Sequence, residues 1–219
     1  MPAGWKRRFR AIFLVLLLLA GTSLYYAPRF LVCADRPVKS DAIVLFLGPG
    51  YPSREKEARL LLQEGYGRFL IMPSFRQVVA ATHASPAAPG APLDAKAIKN
   101  KSYPCYYENT HREVLYAKEA METLGLRSAI MVSSPYHLRR IRMITTKTFG
   151  ENARFISYVP ASYGRNPVAL LGMDRSDWVL LVQEYVKICW FRMYALFSGD
   201  GPAPTLTKGN DLKHGHVAY

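Results

Sequence analysis

The chain has 219 residues, half of them hydrophobic, which suits one domain plus a membrane segment and is short for two ordinary domains. Its 29 Lys+Arg against 16 Asp+Glu give a formal charge of +13 and favour anionic partners. No zinc-finger spacing, RNP-like aromatic string or basic-region helix accompanies that charge, so no nucleic acid partner is expected and membrane or phosphate is the better match.

Lys6, Arg7, Arg8 and Arg10 precede an apolar run from Ala11 to Ala27, about 17 residues and uncharged, at the short end for a bilayer span. Tyr25 and Tyr26 stand where an interfacial aromatic belt would, and Pro28 is expected to end the helix. The basic cluster predicts an N-terminus held in the cytoplasm and a single-pass anchor in the cytoplasmic (inner) membrane, with the domain on the extracytoplasmic side. Ala20, Gly21 and Ser23 come close to a signal cleavage site, but the length favours an uncleaved anchor. The bulky Phe30-Leu31-Val32 before Cys33 speaks against a lipoprotein signal. Residues 1–34 are thus read as basic tail and anchor, 35–199 as the domain and 200–219 as a loose tail.

Asp41 to Leu47 is a continuous apolar run stopping at Gly48-Pro49-Gly50, which predicts a central parallel strand buried on both faces. Ser53 to Glu64 predicts a helix with Gly65 after its end, and Phe69 to Met72 a second strand, together a β-α-β unit. Residues 75–107 hold Pro86, Pro89 and Pro92 and read as a long inserted loop, with a short helix near Ala95 to Lys99. Thr110 and Glu113 have capping-box spacing, opening a helix that Gly125 closes. A strand at Ser128 to Ser133, a helix at Tyr136 to Phe149, a strand at Phe155 to Val159 and a last helix at Asp177 to Phe197 follow. Alternating strands and helices predict an α/β, Rossmann-like open parallel sheet with helices on both faces. The last helix is aromatic-rich but interrupted by Gln183, Glu184, Lys187 and Arg192, so it is read as packing on the sheet or lying along a bilayer surface, not spanning it.

Ligands of open parallel sheets bind beyond the carboxyl ends of the strands. That places Gly48, Gly50, Arg54, Ser74, Ser133, Ser134, His137 and Arg140 at one edge, with Asn109 and Thr110 opening a helix toward it. Free amides at helix starts, two arginines and hydroxyls suit a phosphate. His137 is the candidate acid or base, because imidazole titrates near neutral pH. Glu113 either orients a partner or caps its helix, and Ser134 is a candidate nucleophile. The single glycine pair lacks the third glycine of a dinucleotide fingerprint, no GxSxG, HxH or HExxH occurs, and no metal or other cofactor is expected. Cys33, Cys105 and Cys189 form no CxxC pair. Free thiols are the plain reading, although Cys33 and Cys105 could pair outside the cytoplasm.

Taken in order, Asp41-Ala42-Ile43-Val44-Leu45 with Gly48, Gly50, Arg54 and Ala58, then Asn109-Thr110-x-x-Glu113, then Val132-Ser133-Ser134-Pro135-Tyr136-His137-Leu138-Arg139-Arg140, resemble the YdcF-like (SanA/ElyC) domain family over about residues 41 to 160. The insertion at 75–107 and an acidic residue directly before Asn109, Glu108, depart from that pattern. The resemblance implies a Rossmann-like fold and a role in bacterial envelope biogenesis, including peptidoglycan and lipid-carrier metabolism. The resulting expectation is an envelope protein acting on a phosphorylated or lipid-linked substrate, with envelope protein partners allowed. The alternatives are a nucleotide- or S-adenosylmethionine-like ligand-binding module and a non-catalytic envelope regulator.

Overall fold

The computed structural model describes residues 3–48, 51–81, 103–161 and 172–197. Helix α1 (Ala3–Leu31) contains one segment, Arg10–Leu31, that is long and apolar enough to cross a membrane. Every side chain from Ile12 to Leu19 on it is exposed, an arrangement that costs free energy in water and none in hydrocarbon. Pro28 lies inside α1 and does not end it. A proline this near a C-terminus removes one backbone bond, and the last turn is held instead by Leu31, fully buried against Tyr136, Leu181 and Ile188.

Five strands follow: β1 (Ala42–Leu45), β2 (Phe69–Met72), β3 (Gln77–Ala80), β4 (Ala129–Ser133) and β5 (Ile156–Pro160), in the order β3-β2-β1-β4-β5. β1 pairs parallel with both β2 and β4, and β4 pairs parallel with β5. The expected α/β architecture is therefore present. β3 is an addition: the segment read as irregular loop from residue 75 starts by folding back antiparallel onto β2. A 3-10 turn at Pro73–Phe75 and a left-handed Arg76 reverse the chain and set that register. The helix expected near Ala95 to Lys99 and the tail after Gly199 lie outside the described residues.

Helix α2 (Tyr51–Gln63) covers one face of the sheet, packing Ala58 and Leu61 on Ile43, Leu45, Leu70, Ile130 and Val132. Helices α3 (Asn109–Thr123), α4 (Pro135–Phe149) and α5 (Arg175–Phe197) supply the other face, where Val114, Ile141 and Phe191 share a core with Val44, Phe46 and Met131. Alternate residues of β1 thus enter opposite cores, which is why its sequence reads as unbroken apolar. Helix α3 ends with Leu126 N–H on the carbonyl of Met121 (2.8 Å) and Gly125 at φ +67°, a left-handed stop that glycine adopts without cost. All three cysteines are free thiols, Cys33 buried and Cys105 and Cys189 exposed.

Two polar ties fix the segment between α1 and β1 to the domain. Between α1 and β1 the chain runs past β5, where Asp35 N–H donates to the carbonyl of Tyr158 (2.8 Å) and the Asp35 carboxylate accepts from Arg142 (2.8 Å). At the mouth of β1, the Asp41 carboxylate accepts from Arg127 N–H (3.0 Å), Ser128 N–H (3.2 Å) and the Arg68 guanidinium (2.8 Å). These bonds, led by that of Arg127, hold its carboxyl below the usual range. Asp41→Ala leaves those donors unpaired at the β1–β4 junction, and we expect denaturant unfolding to show a loss of about 2 kcal/mol.

Candidate functional site

β1 connects to α2 on one face and β4 connects to α4 on the opposite face, so the two loops part at the carboxyl ends of these neighbouring strands. That divergence makes a crevice at the topological switch point. Arg54, from the start of α2, folds back into it. Its Nη1 donates to the carbonyls of Phe46 (3.1 Å) and Leu47 (2.6 Å), and its Nη2 donates to Ser134 Oγ (2.9 Å). One guanidinium thereby ties the end of β1 to the residue that opens α4. Gly48 sits against it at φ +135°, a conformation that favours glycine, and a Cβ there would press on Arg54 Nη1 at 3.0 Å. Burial pushes Arg54 down to about 10, opposed by Glu113 and Glu184, and it stays protonated at neutral pH.

A second buried cluster joins α3, α4 and α5. Arg140 donates through Nε to Glu184 Oε2 (2.8 Å) and through Nη1 to Glu108 Oε2 (2.6 Å) and Thr110 Oγ1 (2.9 Å). Its Nη2 lies 2.7 Å from His137 Nδ1. Guanidinium nitrogens only donate, so this short contact makes Nδ1 an acceptor and puts the imidazole proton on Nε2, facing Thr110 Oγ1 at 3.4 Å. Glu184 Oε2 also lies 3.2 Å from Nδ1, and of the two neighbours the guanidinium is the closer. Burial lowers His137 to about 4 against the pull of Glu184. His137 is thus a neutral imidazole at pH 7, poised as a hydrogen-bond donor. Glu184 is driven the other way: the hydrogen bonds and charge of Arg140 outweigh its burial and hold it ionised.

Glu113 and Glu108 are environmentally distinct from Glu184. Glu113 projects from α3 to accept a hydrogen bond from Ser74 Oγ, and burial raises its carboxyl despite Ser74, Arg54 and Arg140. Glu108 is raised by burial as well, countered first by Arg140. The capping box expected from Thr110 and Glu113 is not formed. The residue at the cap position is Glu108, no side chain caps the helix, and both hydroxyl and carboxylate turn into the site instead. Here tertiary partners outbid a local bond worth about 1 kcal/mol.

The structure therefore gathers Gly48, Arg54, Thr110, Glu113, Ser134, His137 and Arg140 at one sheet edge. Ser133 is fully buried beneath it, its Oγ without a hydrogen-bond partner among the described residues. Asn109 starts α3 and is exposed, and Gly50 lies outside the described residues. Two expectations change in character. Arg140 has all three nitrogens engaged by protein groups, so an incoming phosphate would have to displace Glu108 or Glu184. The edge also carries three carboxylates, Glu108, Glu113 and Glu184, beside two guanidinium groups. Glu184 was missed as a site residue. Its signal was an acidic residue falling on the buried stripe Asp177, Leu181, Glu184, Ile188, Phe191, where an unpaired charge is not tolerated.

Among the described residues, no group of three or more His, Cys, Asp or Glu side chains is arranged to hold a metal ion. Fold and site together define an α/β protein with a cluster of buried polar and charged side chains at its switch point and an apolar N-terminal helix. No protein-family model, curated protein or solved structure matches the chain.

His111 is a second buried imidazole, stacked on Tyr107 (4.2 Å) with Nδ1 3.1 Å from Tyr194 Oη, and burial lowers it to about 4. Both histidines are harder to protonate folded than unfolded. Their contribution to stability is complete above about pH 6.5 and declines as pH falls toward 4, by about 1.4 kcal/mol per pH unit for each. Glu108 and Glu113, raised by folding, act in the opposite sense. The two imidazoles should therefore show no titration by NMR between pH 6 and 8. The stability deficit of His111→Phe relative to the native chain should narrow as pH falls from 6.5 to 4.5.

Proposed function

We propose that this chain is an envelope hydrolase or transferase of the YdcF-like kind, anchored by α1 with its N-terminus in the cytoplasm and acting on a phosphorylated, lipid-linked substrate at the outer face of the cytoplasmic membrane. One observation carries the reading: the crevice and the end of the anchor share a helical turn. Arg139 donates from Nε to the carbonyl of Phe30 (2.7 Å), its guanidinium lies 4.5 Å from the Phe30 ring centre, and Leu31 packs on Tyr136. That same stretch of α4 carries His137 and Arg140, and Ser134 precedes it. From there the chain passes β5 and enters β1 at its far end, so the carboxyl ends of the strands are the side from which α1 departs. A substrate whose tail stays in the bilayer and whose phosphate projects from it would meet this edge.

The roles follow from the environments. Arg54 and the Gly48 amide supply positive potential for phosphate oxygens. Glu113, half-buried and with its affinity for a proton raised, takes the proton of an attacking hydroxyl or returns one to a leaving oxygen. Neutral His137 donates from Nε2, directly or across Thr110, to charge developing on the substrate. Glu184 and Glu108 hold Arg140 and, through it, the imidazole. Ser134, whose Oγ accepts from Arg54, is the candidate nucleophile should the reaction pass through a covalent intermediate.

The test is turnover of polyprenyl phosphates, polyprenyl diphosphates and nucleotide sugars by the full chain in detergent or vesicles, followed by release of phosphate or transfer of the glycan. Glu113→Gln should lower kcat about 100-fold with the fold intact by circular dichroism. His137→Ala should also lose activity. Full activity in Glu113→Gln removes that carboxylate from the mechanism. Tight ligand binding by calorimetry without turnover replaces the enzyme with a binding module.

A further inference from the structure

α5 is apolar on two opposite sides, and the described residues cover only one of them. Asp177, Leu181, Glu184, Ile188 and Phe191 face the domain. Val179, Val182, Val186, Trp190, Met193 and Phe197 recur at steps of three and four, which is one continuous helical stripe. All six are exposed, Val186 at 62% and Phe197 at 84%. A stripe of this length facing water is uncommon on a soluble monomer and marks an interaction surface. Its exposed neighbours include Lys187 and Arg192, while both acidic residues of α5, Asp177 and Glu184, are buried.

The position of α1 identifies the occupant. Contact between α1 and α5 begins at the last turn of α1: Tyr185 Oη donates to the carbonyl of Ala27 (2.9 Å), and the Tyr185 ring stacks on Phe30 at 6.1 Å. Leu24, Tyr25 and Tyr26, just before, remain exposed. α5 therefore does not run down beside the anchor but sits at the height where the anchor leaves its apolar layer. The residues that α1 touches, Leu181, Tyr185 and Ile188, are beside the exposed stripe, not on it. We propose that the outer face of α5 lies in the headgroup–acyl boundary of the bilayer that α1 crosses, making α5 a second, in-plane membrane contact. Trp190 then sits at headgroup level, where its amphipathic ring is favoured, and Arg192 reaches anionic lipid. The inference rests on the reading of α1 as an anchor. It deepens the proposed function, because the inner face of α5 carries Glu184 and the helix would hold the crevice at a set height above the lipid.

The experiment uses the full chain with Cys33→Ala, Cys105→Ser and Cys189→Ser, and one new cysteine bearing an environment-sensitive fluorophore. It is reconstituted in vesicles of equal parts phosphatidylcholine and phosphatidylglycerol, with or without lipid carrying a doxyl quencher near the headgroup end of its chains. Labels at Val182, Val186 and Met193 should be quenched about twofold or more, as should a label at Leu17 in α1, and one at Glu122 on α3 should not. Quenching at Leu17 but not on α5 overturns the proposal and leaves the anchor standing. No quenching at either overturns both. Labels on α5 that are open in these vesicles but shielded in native membranes assign the face to a protein and also overturn it. Should labelled variants misfold, Trp190 quenching by brominated phosphatidylcholine, in a chain with Trp5→Phe and Trp178→Phe, decides between the same outcomes. Turnover is not read, so quenching at Leu17 without quenching on α5 leaves the enzyme reading untouched.

Discussion

Two guanidinium groups taken out of water at the edge of the sheet govern how this domain closes. A buried arginine presents five N–H donors and a full charge, and folding is tolerable only if nearly all of them find acceptors. Arg54 finds three in the carbonyls of Phe46 and Leu47, just after β1, and in Ser134, while its buried Nε has no partner among the described residues. Arg140 finds them in Glu108, Thr110, His137 and Glu184. The first fastens α2 to the β1–β4 junction. The second fastens α3, α4 and α5 to one another above the same edge. Removing either charge would leave its acceptors exposed to a low-dielectric interior, so the loops and helix starts that shape the crevice are held by electrostatic necessity as much as by apolar packing.

The same pairing decides protonation. Burial does most to keep His137 from taking a second proton, and Arg140 against Nδ1 adds to that. Glu184, fed by donors, stays charged, while Glu113, with fewer donors and much burial, holds its proton more firmly. Carboxylates within one crevice are driven apart in acidity by what surrounds each, the separation that acid–base chemistry uses. Burial raises the Glu113 carboxyl while it lowers the His137 imidazole, so the two groups move in opposite senses.

α5 links this site to the rest of the molecule. Its inner face places Glu184 on Arg140, its flank meets the end of α1, and its outer face is apolar. A helix with one apolar stripe would have served the core alone. Within the described residues the second stripe meets the domain through Trp190, whose Nε1 donates to the carbonyl of Tyr106 (3.3 Å).

Much of the fold was legible in the residues themselves. Runs apolar on both faces marked β1, β2, β4 and β5, glycines and prolines marked most helix ends, and the basic cluster before an uncharged stretch marked the N-terminal helix. These are local signals, carried by side-chain period and by backbone conformations that few residues adopt. Placement of Arg54, Ser134, His137 and Arg140 at one edge followed as well, because a parallel sheet puts all its strand ends together. What only the tertiary structure decided were choices between partners far apart in sequence. β3 emerged from an apparent loop because Val78 and Val79 could pair with β2. Thr110 and Glu113 left their helix cap for Arg140 and Ser74, and Glu184 changed from an interruption in an aromatic helix into the counter-ion of the site. Each of those outcomes depends on which groups lose water together, a quantity set by packing and invisible to periodicity.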